Sequence, residues 1–254
     1  MHRALQWAAA AILAVTAAVF TGTGGTALSP APAFADTSTP VVVELFTSQG
    51  CNTCPPAESF LRELAGEDGI IALELHIDYW DYIGWKDPFA SPEMTARQRG
   101  YAQELRLPYV YTPQMVIDGR FDVVGSHRNS ARGIIRQAAE RGKPIDVHLS
   151  DENGGTIIIP AGHSPDGGAT VWLAIYDDQH ETEVLRGENA GQNLLNRNVV
   201  RELESLGTWT GERMEIPVDL ARAAARGRAG CVVLLQQGRT GPILGAAATT
   251  LGTP

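Results

Sequence analysis

An apolar run ends at a pair of cysteines, Cys51 and Cys54, and a proline opens the next segment. That junction constrains the chain more than any other feature of the sequence. Val41-Val42-Val43-Glu44-Leu45-Phe46 is apolar and β-branched, as a buried strand requires. Thr47-Ser48-Gln49-Gly50 reads as a loop, and Pro55 stands where the first turn of a helix accepts proline. Ala57, Phe60, Leu61 and Leu64 then recur at helical spacing until Gly66 ends the pattern. The motif Cys51-Asn52-Thr53-Cys54 therefore bridges a strand and the N-terminus of a helix. Unpaired backbone N–H groups and a positive local field at that position stabilise a thiolate. The expectation is an accessible Cys51 that attacks and a deeper Cys54 that resolves the mixed disulfide, the two halves of thiol–disulfide exchange. Two other readings of the pair remain, a local structural disulfide and half of a metal site. A structural zinc centre usually takes four protein ligands.

The pattern beyond the motif continues in α/β fashion. Ile70 to Ile77 reads as a strand and is followed by an aromatic-rich loop containing Tyr79, Trp80, Tyr82 and Trp85. Ser91-Pro92 reads as an N-cap and first-turn proline of a helix carrying Met94, Tyr101 and Leu105. Tyr111-Thr112-Pro113 precedes a short strand, Gln114 to Ile117, and Asp118-Gly119 signals a tight turn into Phe121 to Val124. A helix with Ile134, Ile135 and Ala138 on one face follows, with Ser130 as its expected cap, and ends near Gly142. The order β, α, β, α, β, β, α fits one domain over residues 36–143. After Lys143-Pro144 the chain becomes a series of short strand-like runs separated by Gly, Asp, Asn and Pro. Residues 144–254 are thus expected to form a β-rich, sandwich-like domain, with a short helix at Leu220 to Arg226. Asn193 to Leu206 fits helix or strand equally.

Residues 1–35 read as a secretory signal peptide: Arg3 near the start, an apolar run from Ala8 to Phe20, and Ala33-Phe34-Ala35 as a small-x-small cleavage signal. The apolar run is short for a membrane span, so the expected product is periplasmic or secreted and free of the membrane after cleavage. A formal net charge of −9 argues against nucleic acid and anionic membrane surfaces as partners. Only one cysteine remains outside the motif, Cys231, within an apolar run where a thiol packs as a small hydrophobe.

Strand, Cys-x-x-Cys-Pro, helix, strand, helix and then Thr-Pro before a hairpin resembles the thioredoxin superfamily over roughly Val41 to Gly142. The resemblance implies a mixed central sheet flanked by helices, a cis Pro113 facing the cysteines, and substrate contact shaped by Thr112 and Pro113. It also implies a buried acid on the strand before the motif that takes the proton of Cys54. Glu44 is nearest that place, though one residue further back, and the alternative for it is a strand-edge glutamate. The run Glu44 to Cys51 with Cys54-Pro55-Pro56-Ala57, together with Arg186-Gly187-Glu188-Asn189 and Arg197 to Leu203, resembles more narrowly a bacterial family of exported thioredoxin-like proteins filed as a domain of unknown function. Gly50 stands where thioredoxin carries tryptophan, and Asn52-Thr53 replaces its motif interior.

The expected function is a thiol–disulfide oxidoreductase acting on cysteine-containing proteins, with a redox partner to reset the pair and no bound cofactor. A copper-binding chaperone using His76 and Asp78 with the thiolates, and a non-catalytic binding module on the same scaffold, are the alternatives.

Overall fold

A computed structural model describes residues 39–151 and 154–251. The expected signal peptide lies outside the described residues. The first strand, β1 (Val41–Thr47), is buried along its whole length, as its unbroken apolar run requires. It leads through the cysteine loop into α1 (Pro55–Leu64), which begins with two prolines and buries Phe60, Leu61 and Leu64. After β2 (Ile70–His76) and a short 3-10 turn at Asp81–Ile83 comes α2 (Pro92–Glu104). Ser91 caps α2 by accepting a hydrogen bond from the Met94 N–H. The hairpin of β3 (Gln114–Ile117) and β4 (Phe121–Val124) turns at Asp118 and Gly119, both of positive φ. The next helix, α3 (Arg128–Arg141), starts before the expected Ser130 cap, with His127 in the cap position.

The remaining elements are β5 (His148–Ser150), β6 (Thr156–Ile159), β7 (Ala169–Glu183), β8 (Asn193–Trp209), β9 (Met214–Pro217), α4 (Leu220–Ala225), β10 (Gly230–Gln237) and β11 (Ile243–Thr250). Strands from both halves of the sequence lie in one mixed, eight-stranded sheet of order β11-β10-β7-β8-β2-β1-β3-β4. The join is the parallel pairing of Glu74 in β2 with Val199 in β8. The other sheet, β5-β6-β9, has three strands. The sandwich expected after residue 143 is thus realised locally, where these three strands cover one face of β7 and β10, while the larger sheet runs on into the first half. Among the described residues no helix is long and apolar enough to cross a membrane.

Side-chain alternation divides the sheet into two faces. Val42 and Phe46 of β1, Leu73 and Leu75 of β2, Trp172 of β7 and Val232 of β10 share one face with Met94 and Tyr101 of α2. Val41, Val43 and Leu45 of β1 point the other way, towards α1 and α3. Val171 and Leu173 of β7 and Val233 of β10 also turn from the α2 face, and pack with Ile157 and Ile159 of β6.

Candidate functional site at the Cys51–Cys54 disulfide

Cys51 and Cys54 are joined by a disulfide. Successive turns place it: the Cys51 N–H bonds the Ser48 carbonyl at 3.0 Å and the Cys54 N–H bonds the Cys51 carbonyl at 3.2 Å. Cys54 is the N-cap residue of α1, and its carbonyl accepts from Ala57 and Glu58. The cysteines therefore occupy the helix start that the sequence indicates.

Their accessibility differs from expectation. Cys51 is only 1% exposed and Cys54 is fully buried, although Asn52 and Thr53 between them are exposed. The turn between β7 and β8 is bonded to this loop. There Asn189, itself buried, donates to the Gln49 carbonyl at 2.9 Å and the Cys51 carbonyl at 3.0 Å. Gly187 of the same turn lies against Trp85. An expectation built on the local motif has no means of including a segment more than a hundred residues away.

The bond between Thr112 and Pro113 is cis, and the segment reaches the cysteine region only through neighbours. Two contacts fix the placement. Trp80 donates its indole N–H to the Thr112 hydroxyl at 2.8 Å, and its Cβ stands 3.1 Å from where a Gly50 side chain would begin. On the other side, a Cβ on Gly125 would meet the Ala57 methyl at 2.9 Å and the Pro113 Cβ at 3.4 Å, so glycine lets the proline segment approach the first turn of α1. The aromatic loop is part of this surface: Trp80 stacks on Tyr82, which is 81% exposed, and Trp85 donates to the Gln49 side chain.

Glu44 is not brought to the cysteines. It shares its sheet face with Val42 and Phe46, whereas α1 packs on Val43 and Leu45. A displacement of one residue along a strand turns the side chain to the opposite face. On that face Glu44 receives two hydrogen bonds from Arg97, at 2.6 and 3.1 Å, and a short one from the Tyr101 hydroxyl. This is a structural ion pair on the α2 side, which corrects the proton-relay expectation.

The acid on the cysteine side is Glu58. It lies one helical turn beyond Cys54, at the i+4 spacing that puts two residues on one face. Glu58 is buried and accepts a hydrogen bond from the Thr47 hydroxyl at 2.7 Å. Burial, then the neighbouring charge of Glu74, pushes its carboxyl up to about 8, so it holds its proton at neutral pH. The sequence did contain a signal for it: Glu58 interrupts the apolar stripe of α1.

Behind Glu58 lies a buried polar network. His76 bonds Asp87 at 2.7 Å through Nδ1, and its Nε2 is 3.6 Å from Glu74. Burial opposes charge on His76, but the Asp87 carboxylate more than compensates and raises its pKa to about 10. Asp87 is buried too, yet the imidazolium holds its carboxyl below the usual range. Glu74 accepts from Asn196 at 2.8 Å, and Asn196 accepts from Gln49 at 3.1 Å. His76 is thus engaged with carboxylates, and Asp78 accepts instead from the Thr95 hydroxyl at 2.6 Å. Among the described residues no three His, Cys, Asp or Glu side chains are grouped to hold a metal ion. Cys231 is a buried free thiol.

Fold and site together define a mixed α/β protein with a buried Cys-x-x-Cys disulfide at a strand–helix junction. The chain belongs to the family described as "Protein of unknown function (DUF1223)", whose profile matches residues 42–236. It is similar to a protein from Agrobacterium tumefaciens of known crystal structure, at 30% identity and a TM-score of 0.73, covering 84% of this chain and 95% of that one. No curated protein matches it.

Proposed function

We propose that the chain is an exported thiol–disulfide oxidoreductase acting on cysteines of other proteins, with its first half built as a thioredoxin-like domain. The observation that carries this reading is the Cys51–Cys54 disulfide at the start of α1; the cis Thr112–Pro113 segment, which comes close to the first turn of that helix at Gly125 and Ala57, supports it. An extended substrate segment pairs with backbone of this kind as an added strand. The leader pattern at residues 1–35 supports a periplasmic or secreted location, where disulfides persist.

The exchange runs as two displacements. A substrate thiolate attacks the Cys51 sulfur, the Cys51–Cys54 bond breaks, and Cys54 leaves as a thiolate. The leaving sulfur takes the proton held by Glu58. A second substrate thiolate then attacks the substrate sulfur of the mixed disulfide and releases Cys51. The substrate is thereby oxidised to a disulfide and the protein reduced; the reverse sequence reduces a substrate, and a separate redox partner resets the pair. Because Cys51 is buried and Asn189 ties its carbonyl to the turn between β7 and β8, this reading requires that turn to open before either displacement.

The burial of Cys51 favours one competing reading, a structural disulfide on a non-catalytic binding module. Trapping separates the two. Cys54→Ala, incubated with a disulfide-containing protein such as insulin, should accumulate a mixed disulfide at Cys51, detected by mass, and Cys51→Ala should accumulate none. The parent protein should catalyse insulin reduction by dithiothreitol. Absence of both the adduct and the catalysis leaves the non-catalytic reading.

A further inference from the structure

A cavity of about 570 Å³ opens on the α2 face of the sheet, away from the disulfide. Its size lies in the range of small-molecule sites. Trp172 of β7 forms its apolar floor, with the Arg97 guanidinium 5.5 Å from the ring centroid and the Arg239 guanidinium 4.6 Å from it. Glu93 from the first turn of α2 and Glu204 from β8 stand at its mouth.

The charges in this cavity are incompletely used. Arg97 spends its Nε and Nη2 on Glu44, Tyr101 and Gln236. Its Nη1 is buried and has no acceptor, which is costly for a guanidinium so enclosed. Arg239, Glu93 and Glu204 are exposed, and among the described residues none of the three forms an ion pair. One wall therefore offers a fixed N–H donor and a free guanidinium, while the rim offers two free carboxylates, around an indole.

We propose that this cavity binds a small zwitterion, an α-amino acid or short peptide. The ligand carboxylate is taken by Arg239 together with Arg97 Nη1, its ammonium by Glu93 and Glu204, and its apolar side chain by Trp172. A simple anion is disfavoured by the two rim carboxylates, and a simple cation by the arginines, so the mixed charge selects a ligand carrying both signs. Arg239 is the mobile element. As an exposed side chain over Trp172 it swings from the ring to the carboxylate, and the proposal requires that ligand entry also uncover the buried Nη1.

The test uses the full chain and three probes with one side chain: L-leucine, 4-methylpentanoate, which lacks the ammonium, and 3-methylbutylamine, which lacks the carboxylate. Calorimetric titration to about 10 mM detects millimolar binding. Leucine, or another member of a panel of the common amino acids and leucylglycine, should bind about tenfold more tightly than its one-charge counterparts. Arg239→Ala should weaken that binding about tenfold, and Glu93→Gln with Glu204→Gln should weaken the amino acid while strengthening the carboxylate-only probe. All three substitutions are at exposed positions, so the fold is retained, and near-ultraviolet circular dichroism verifies it. The proposal is overturned if no panel member binds, if the one-charge probes bind equally well, or if Arg239→Ala leaves affinity unchanged.

Discussion

A buried carboxylate lies on each side of the sheet, Glu44 on β1 and Glu58 on the helix α1 that packs against the other face, and the two are accommodated in opposite ways. On the α2 face Glu44 meets Arg97, Tyr101 and, through them, Gln236, so the carboxylate is paired with a guanidinium that leaves only its Nη1 unused. On the α1 face Glu58 has one hydroxyl, Thr47, and otherwise faces Glu74 and the His76–Asp87 pair. Without a cation of its own it keeps a proton instead. The first arrangement stabilises the fold and moves nothing. The second stores a proton one turn from Cys54. Strand parity turns Glu44 away from the α1 side, so a carboxylate near a motif in sequence says little until its face is known.

The largest effect should come from breaking the Glu44–Arg97 pair. Arg97→Ala leaves Glu44 buried without its cation and should cost about 3–5 kcal/mol in urea unfolding. The double replacement Glu44→Gln with Arg97→Met removes both charges and should recover much of that loss. A single substitution with little effect would mean the pair is not the anchor described.

Next in size is a pH dependence set by the other face. Glu58 binds its proton more tightly in the folded state, at about 8 against 4.5, so folding loses stability as pH rises through that window. His76, raised from 6.5 to about 10, adds stability that is complete below 6.5 and lost towards 10. Asp87, held below 3.8, contributes stability above that pH and loses it in stronger acid. The thermal midpoint should therefore fall steadily from about pH 5 to about pH 9. Glu58→Gln should flatten the lower part of that fall and leave the upper part, which belongs to His76. An unchanged profile would show that Glu58 is not the proton store.

Much of this arrangement was legible before the structure. The β1–α1 junction, the Ser91 cap and the Asp118–Gly119 turn are local, and local chemistry writes them plainly. The long hairpin of β7 and β8 was not. Its strands run to 15 and 17 residues, but register shifts near Trp172 and Tyr176 interrupt the alternation, and polar residues such as Asp178 and Gln179 remove the apolar signal beyond Tyr176. For the same reason nothing local shows that one sheet joins the two halves of the sequence through Glu74 and Val199. In the candidate site, the motif marks the two cysteines that form the disulfide and the proline whose peptide bond is cis. Asn189 stands in a segment that carries the family resemblance, but nothing in its neighbourhood shows that its amide bonds the Gln49 and Cys51 carbonyls.

That amide gives the smallest of the expected effects and the one that most sharpens the contrast between the faces. The Arg97 set has no reason to open, whereas the α1 side has to open for the disulfide to react. Asn189→Ala removes two hydrogen bonds, each worth about 0.5–1.5 kcal/mol net, and shifts the β7–β8 turn towards its open state. If opening precedes attack, the rate at which dithiothreitol reduces the disulfide should rise about tenfold. Gln192→Ala, which removes only the bond from Gln192 to the Asn189 side chain, should act in the same direction and less. Both variants should leave the Arg97 set intact, so the stability gap between wild type and Arg97→Ala should be the same in each background. A reduction rate indifferent to Asn189 would mean that the turn covers the disulfide without controlling access to it.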